Sequence, residues 1–336
     1  MSGLTRREFL KLSAAAVVAG GLTWAGFNRA AWAAREARVG TLIDLSRCDG
    51  CRALPVPACV RACREENAGK FPRPAAEIPL NWPVNTKEDW SDKKGLTTRL
   101  TPYNWIFVQH AQVEDGGRTV DVFIPRRCMH CDNPPCANLC PFAAQYKTPE
   151  GPVLIHHRLC LGGAKCRDVC PWGIPQRQAG VGLYMKIAPG YLGGGVMYKC
   201  DLCYHRIKNG GTPACVEACP RRAMTFGPRD RMLQEATARV RDLNGHLYGA
   251  RENGGTSTFY VSPVPFEKIH RELVAQKARQ PNPKMPGFPG MPVGVGNFLD
   301  SVNGLVAGMF VAPVAGAVAA GWAAYKTMAG GRSDGA

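Results

Sequence analysis

Acidic side chains are scarce in this 336-residue chain: 26 Asp and Glu stand against 42 Lys and Arg, for a formal net charge of +16. Such an excess raises nucleic acid as a partner. The basic residues are scattered, however, and no DNA- or RNA-binding motif is present, so that class is excluded. No G-x-G-x-x-G lies between a strand and a helix. The run Gly193-Gly194-Gly195 sits instead in a Gly-rich loop over residues 172–199, which argues against a nucleotide site. His110, His130, His156, His157, His205, His246 and His270 show no metal-ligand pairing, and His130 reads as a packing residue. No substrate pocket can be argued for, so the protein alone is not expected to carry substrate chemistry. An even cysteine count is missing too. Fifteen cysteines in a chain of this length argue against a disulfide framework.

What those cysteines form is a repeat. They fall into four tandem groups: Cys48, Cys51, Cys59, Cys63; Cys128, Cys131, Cys136, Cys140; Cys160, Cys166, Cys170; and Cys200, Cys203, Cys215, Cys219. Each complete group opens with C-x2-C and closes with C-x3-C. A C-x2-C turn aims two sulfurs at one centre, and the last cysteine of a group points away toward a neighbouring centre, as iron–sulfur ligation requires. Pro141, Pro171 and Pro220 directly follow the last cysteines of groups two, three and four, as in bacterial ferredoxins. The competing reading is a zinc-binding structural or assembly protein. Zinc ribbons want two C-x2-C pairs per ion rather than this spacing.

Group three carries one defect. Cys160, Cys166 and Cys170 keep the register of an intact motif, and Gly163 stands where its second cysteine belongs. A substitution in register removes one ligand without moving the others. The expectation is three 4Fe–4S clusters and one 3Fe–4S cluster; the alternative for the last is a 4Fe–4S centre whose fourth iron takes water or hydroxide.

Both ends suggest an address. Residues 1–33 read as a twin-arginine signal: Arg6-Arg7 with Phe9-Leu10-Lys11, an uncharged run, and Ala31-Trp32-Ala33 as a cleavage site. A plain transmembrane start is the competing reading. Residues 301–325 carry no charge, and 299–325 is long enough to span a bilayer. Gly304, Gly308, Ala312, Gly316, Ala320 and Ala324 recur every fourth residue, a row of small side chains suited to a neighbouring membrane helix. Pro313 would kink that helix. Lys326 and Arg332 place the tail, 326–336, in the cytoplasm by the positive-inside bias. The expected location is therefore the periplasmic side of the cytoplasmic membrane, anchored at the C-terminus. A buried Ala- and Gly-rich soluble helix is the competing reading of 301–325.

The middle reads as an α+β fold. A four-cluster domain spans 40–228 with an insertion at 64–127. That insertion holds Trp82, Trp90, Tyr103 and Trp105, and strand-like runs at 104–109 and 119–124 flank a Gly116-Gly117 turn. A helix–strand extension covers 229–279, with helical period over 229–243 and a short strand at 256–261. Residues 280–296, rich in Pro and Gly, read as a spacer without a core, linking the domain to the membrane helix. Arg47, Arg127, Lys165, Lys199, Arg221 and Arg222 lie beside cysteines, where they would offset the negative charge of thiolate-bound clusters.

Taken together, the cysteine layout, the signal, "LTPYNWIFV", "CMHC", "AMTFG" and the C-terminal apolar run resemble the four-cluster iron–sulfur subunits of bacterial membrane-bound oxidoreductases, the dimethyl sulfoxide reductase-type ferredoxin subunit family. The hydrogenase-2 type iron–sulfur subunit is the nearest in character. The resemblance covers residues 40–270 and both ends in character. It implies tandem bacterial-ferredoxin-like modules with insertions, plus one C-terminal transmembrane helix, and ligands swapped between groups. Carried onto this sequence, one cluster takes Cys48, Cys51, Cys59 and Cys219; a second takes Cys63, Cys200, Cys203 and Cys215; a third takes Cys128, Cys131, Cys136 and Cys170; the defective one takes Cys140, Cys160 and Cys166. The implied role is an electron relay, not itself catalytic, between an exported catalytic subunit and a polytopic quinone-reactive membrane subunit. A nickel–iron hydrogenase is the favoured catalytic partner. A molybdopterin oxidoreductase or a cytochrome-fed quinone reductase complex is the alternative. Gly163 and the longer 172–199 loop depart from the hydrogenase pattern.

Overall fold

A computed structural model describes residues 38–80, 87–191, 193–304 and 306. The twin-arginine segment, Trp82, most of the C-terminal apolar run and the tail lie outside the described residues. Among the described residues no helix is long and apolar enough to cross a membrane.

One four-stranded sheet anchors the molecule. Its order is β8 (Met224–Pro228), β1 (Val39–Asp44), β10 (Thr258–Ser262) and β9 (His246–Tyr248). β1 pairs in parallel with β10, Thr41 opposite Thr258, and antiparallel with β8, Thr41 opposite Phe226. Because β1 and β10 are flanked on both edges, they are buried almost throughout, as strands covered on two faces should be. Helix α2 (Arg229–Leu243) covers one face, with Met232 and Ala236 against Leu42, Phe259 and Val261. Asn244, left-handed at φ 46°, ends it. Each large apolar side chain fully buried here contributes roughly 1.5–3 kcal/mol. The stretch 229–279 thus supplies one of β1's two partner strands, β10, and the helix that covers them.

The insertion forms a hairpin longer than the sequence runs suggest: β2 (Phe107–Asp115) and β3 (Arg118–Arg126). Gly116 and Gly117 turn it with φ of 57° and 75°, values for which glycine is suited. Helix α3 (Phe266–Ala278) packs beside β2 through Phe266, Ile269 and Leu273, which join the main core. Two short two-stranded ribbons complete the fold: β4 (Gln145–Lys147) with β5 (Val153–Ile155), and β6 (Gln176–Gln178) with β7 (Val196–Tyr198).

The segment 280–296, read as a spacer without a core, is instead laid onto the body. Met291 is fully buried, and Leu100 N–H donates to Gly287 O at 2.8 Å. Arg126 donates to Gly290 O at 2.7 Å, and Tyr248 Oη to Pro292 O at 2.9 Å. It lacks periodicity because several of its backbone groups are satisfied by the body.

Candidate metal centres

The four cysteine groups share one local design. Pro57, Pro134 and Pro213 each lead into a helical turn whose second residue is the third cysteine of groups one, two and four. Helix α1 (Ala58–Asn67) extends the first of these. Proline pre-sets the backbone for such a start. In group three the entry is Ala164, left-handed at φ 57°, ahead of the turn Lys165–Asp168. Left-handed residues also curl the loops before those turns: Gly50 and Cys51, His130, Gly162, Leu202 and Cys203. Successive inward amide groups of this kind make concavities that favour anions.

All fifteen cysteines are free, and seven of them are buried. Their electrostatic neighbours bring together thiols from different groups. Burial pushes Cys48 up to about 11, with Cys219 and Cys51 adding to it; Cys59 is raised by burial, then by Cys215 and by Cys48, Cys51 and Cys219. Burial raises Cys63 well above its ordinary range, with Cys215, Cys200 and Cys203 around it. Cys131 and Cys136 are raised by burial and by Cys128 and Cys170. Cys166 is raised by burial and then by Cys160 and Cys140. In each set, thiols far apart in the sequence come together. Neighbouring thiols also link one set to the next. Cys59 neighbours Cys215, Cys200 neighbours Cys128, and Cys166 neighbours Cys170.

The sets suit a polynuclear anionic group. Among the described residues no three of His, Cys, Asp or Glu converge tightly enough to hold a single metal ion; zinc would need sulfurs at about 2.3 Å from one point. Donors are aimed at sulfur: Asn253 Nδ2 to Cys131 Sγ at 3.1 Å, Gln145 Nε2 to Cys136 Sγ at 3.1 Å, Leu202 N–H to Cys200 Sγ at 3.3 Å, and Ala223 N–H to Cys219 Sγ at 3.3 Å. Such hydrogen bonds set the potential of a sulfur-bound iron centre. Arg127 is fully buried, its Nε and Nη2 have no partner among the described residues, and its one hydrogen bond, to Cys128 O, is 3.4 Å long. A buried guanidinium left like this is costly unless an anion lies beside it. Burial pulls Arg127 and Lys199 down, but the thiols of Cys200 and Cys215 around the first, and of Cys128 and Cys136 around the second, hold both above their ordinary range.

Gly163 differs from its neighbour Gly162. A Cβ on Gly162, at φ 72°, would lie 2.4 Å from Gly195 O, so glycine is required there. A Cβ on Gly163 would meet nothing within 4 Å, and the residue is exposed. The backbone does not demand glycine at 163; the position lacks a ligand for no steric reason. The loop around it is clamped. Glu88 accepts from Arg167 Nη1 and Nη2 at 2.6 Å each and from Arg177 Nη2 at 2.7 Å. Arg177 Nη1 also donates to Gly162 O and Gly193 O, both at 2.9 Å. Burial pushes the Glu88 carboxyl up, but Arg167 and Arg177 outweigh it and hold it below its usual range.

His130 is wholly buried; its Nδ1 accepts from Val153 N–H at 2.9 Å. Burial, with Lys199, Arg127 and Lys147 nearby, holds it well below its ordinary range and so neutral. Of the six basic residues flanking cysteines, Arg47, Lys165, Arg221 and Arg222 are exposed, and Arg127 and Lys199 are not. Sequence reasoning missed Asn253, Gln145 and Glu88. Nothing in the sequence ties Asn253 to Cys131. Asn67, four residues past Cys63 on α1 and donating to its carbonyl at 2.9 Å, was findable from helical spacing.

Two family models, both described as a 4Fe-4S dicluster domain, match residues 47–144 and 119–229. A protein of Nitratidesulfovibrio vulgaris is 32% identical over 303 residues, 87% of this sequence and 74% of its own length. The hydrogenase-2 operon protein HybA of Escherichia coli O157:H7 is 28% identical over 310 residues, 79% of this sequence and 83% of its own. A putative dimethyl sulfoxide reductase iron-sulfur subunit of Halobacterium salinarum is 27% identical over 250 residues, 70% of this sequence and 85% of its own.

Proposed function

From the premise that the protein belongs to the 4Fe-4S dicluster iron–sulfur electron-transfer subunits of oxidoreductases, we propose that it is a four-centre relay working in an exported, membrane-attached complex. The carrying observation is that cysteines from distant groups come together as buried neighbours, with links from one assembly to the next. Iron–sulfur centres, when bound, take up and release one electron at a time. Cys48, Cys51, Cys59 and Cys219 would hold the first, and Cys63, Cys200, Cys203 and Cys215 the second. Cys128, Cys131, Cys136 and Cys170 would hold the third, and Cys140, Cys160 and Cys166 the fourth. The first three are 4Fe–4S sites. The fourth, without a ligand at Gly163, is a 3Fe–4S site.

The protein's own residues bind, shield and tune. Buried thiols exclude water, Asn253 and Gln145 donate to ligand sulfurs, and Arg127 and Lys199 supply positive charge. The hydrogenase-2 operon relative supports a hydrogenase as the catalytic partner; a nickel–iron, exported form of it and a quinone-reactive membrane subunit are parts of the same proposal. Gly163 favours a second reading, in which the same relay serves a molybdopterin oxidoreductase or a cytochrome-fed complex. The twin-arginine segment and the apolar run 299–325 support a periplasmic location with a C-terminal anchor.

The test is a mild-detergent pull-down of the native protein, with partners identified by mass spectrometry and iron and acid-labile sulfide counted. The reading expects about fifteen irons per molecule, a catalytic subunit and a polytopic membrane protein. A nickel-bearing partner selects the hydrogenase reading, and a molybdopterin or haem partner the second. Zinc without sulfide would overturn both.

A further inference from the structure

Arg127 follows β3 and adjoins Cys128 of the third set; Lys199 follows β7 and adjoins Cys200 of the second. Each faces the other set. Arg127 neighbours Cys200 and Cys215, and Lys199 neighbours Cys128 and Cys136. Exposure of the two residues is 1% and 5%. Lys199 Nζ donates to Val153 O and, at 3.1 Å, to Cys200 O, and the amine is fixed by these bonds. Arg127 keeps Nε and Nη2 without a partner among the described residues. This crossed pair occupies the place where the half built from groups one and four meets the half built from groups two and three.

We propose that Arg127 and Lys199 form a buried two-cation bridge that raises the reduction potentials of the second and third centres together and so keeps the step between the two halves nearly level. The proposal rests on the cluster reading of those thiol sets. A single electron arriving from the partner subunit adds one negative charge to a centre. No bond forms or breaks and no proton need move, because the compensating charge is already in place. In a dry interior a fixed cation acts strongly on both sides, whereas Arg47, Lys165, Arg221 and Arg222 are screened by solvent. A cation tied to one set alone would raise one centre and make the step uphill in one direction. The crossed attachment avoids that.

The test is a dithionite redox titration of the intact complex followed by EPR, with iron and sulfide counted, for wild type, Lys199→Met, Lys199→Arg, Arg127→Lys and the exposed control Arg47→Gln. Lys199→Met is expected to keep its iron and lower both middle potentials by a tenfold change in reduction equilibrium, about 59 mV for one electron. The end centres and the Arg47→Gln protein should stay put, and the two charge-keeping variants should stay near wild type. Full iron with unmoved potentials, or a shift in only one middle centre, would overturn the bridge. If Lys199→Met loses iron, Lys199→Arg decides: restored iron supports a need for charge at this spot, and continued loss shows a packing role and overturns it. A wild-type protein without these centres would instead defeat the cluster reading itself, a separate outcome visible in the metal count.

Discussion

The thiol set at the heart of the molecule and the one at its Gly163 edge share the core but are enclosed differently. Cys63, Cys200, Cys203 and Cys215 are all buried, at 6%, 6%, 4% and 4% exposure, and are enclosed by packing, by helix α1 and by two buried cations. Cys140, Cys160 and Cys166 number only three, stand beside an exposed glycine, and depend on a polar clamp through Glu88, Arg167 and Arg177. The interior site is defined by exclusion of water. The edge site also packs Cys160 into the core, at 8% exposure, but adds a bracket of ion pairs and leaves one position open.

Removing a ligand should break the comparison most visibly. Cys200→Ser is expected to cost a whole centre, about four irons per molecule, and to reduce folded yield sharply, because a large buried volume loses its occupant. Cys160→Ser should cost about three irons and leave the folded yield near normal. Iron counting with a native gel checks both. Equal damage from the two would mean the edge set is as structural as the interior one.

Next in size is Gly163→Cys. The Cβ has free space and the backbone is not left-handed, so stability should change by less than about 0.5 kcal/mol. The oxidised protein should lose its 3Fe–4S EPR signal and gain about one iron. A persisting signal would show that the missing thiol is not what leaves that centre incomplete.

Glu88→Gln attacks the clamp. It leaves two partly buried guanidinium groups without their carboxylate and should cost about 2 kcal/mol. The loss should appear as faster amide exchange at residues 160–164 and 193–195 and leave residues 200–215 unchanged.

The effect confined to acid conditions concerns pH. Burial, foremost, pulls His157 down to about 4 from its ordinary 6.5. Its neutral form suits the fold, so its contribution is complete above pH 6.5 and is lost as pH falls through 4. Stability should drop by up to about 3 kcal/mol over that window. His157→Phe, which keeps a ring against Tyr198, should flatten the drop in a melting-temperature series.

Cysteine spacing made the chemistry legible, because ligand geometry is written in short intervals that survive in the sequence. Gly163 was legible as a departure, but only the empty space beside it separates an omitted ligand from a backbone requirement. Six basic residues looked alike beside cysteines; burial distinguishes Arg127 and Lys199, and burial depends on the whole core. Glu88 meets Arg167 and Arg177 across long stretches of sequence, so no local pattern marks it. Residues 280–296 lack the periodicity from which docking could have been read.

The first strand has a consequence for how the protein is made. β1 lies between β8 and β10, and Thr41 must wait for Phe226 and Thr258. Cys48 likewise waits for Cys219. A nascent polypeptide that has already emerged with its first two cysteine groups therefore has neither its founding strand paired nor its first pocket closed. Synthesis and enclosure run in different orders, and the thiols made earliest are shut away only once partners some two hundred residues later have followed.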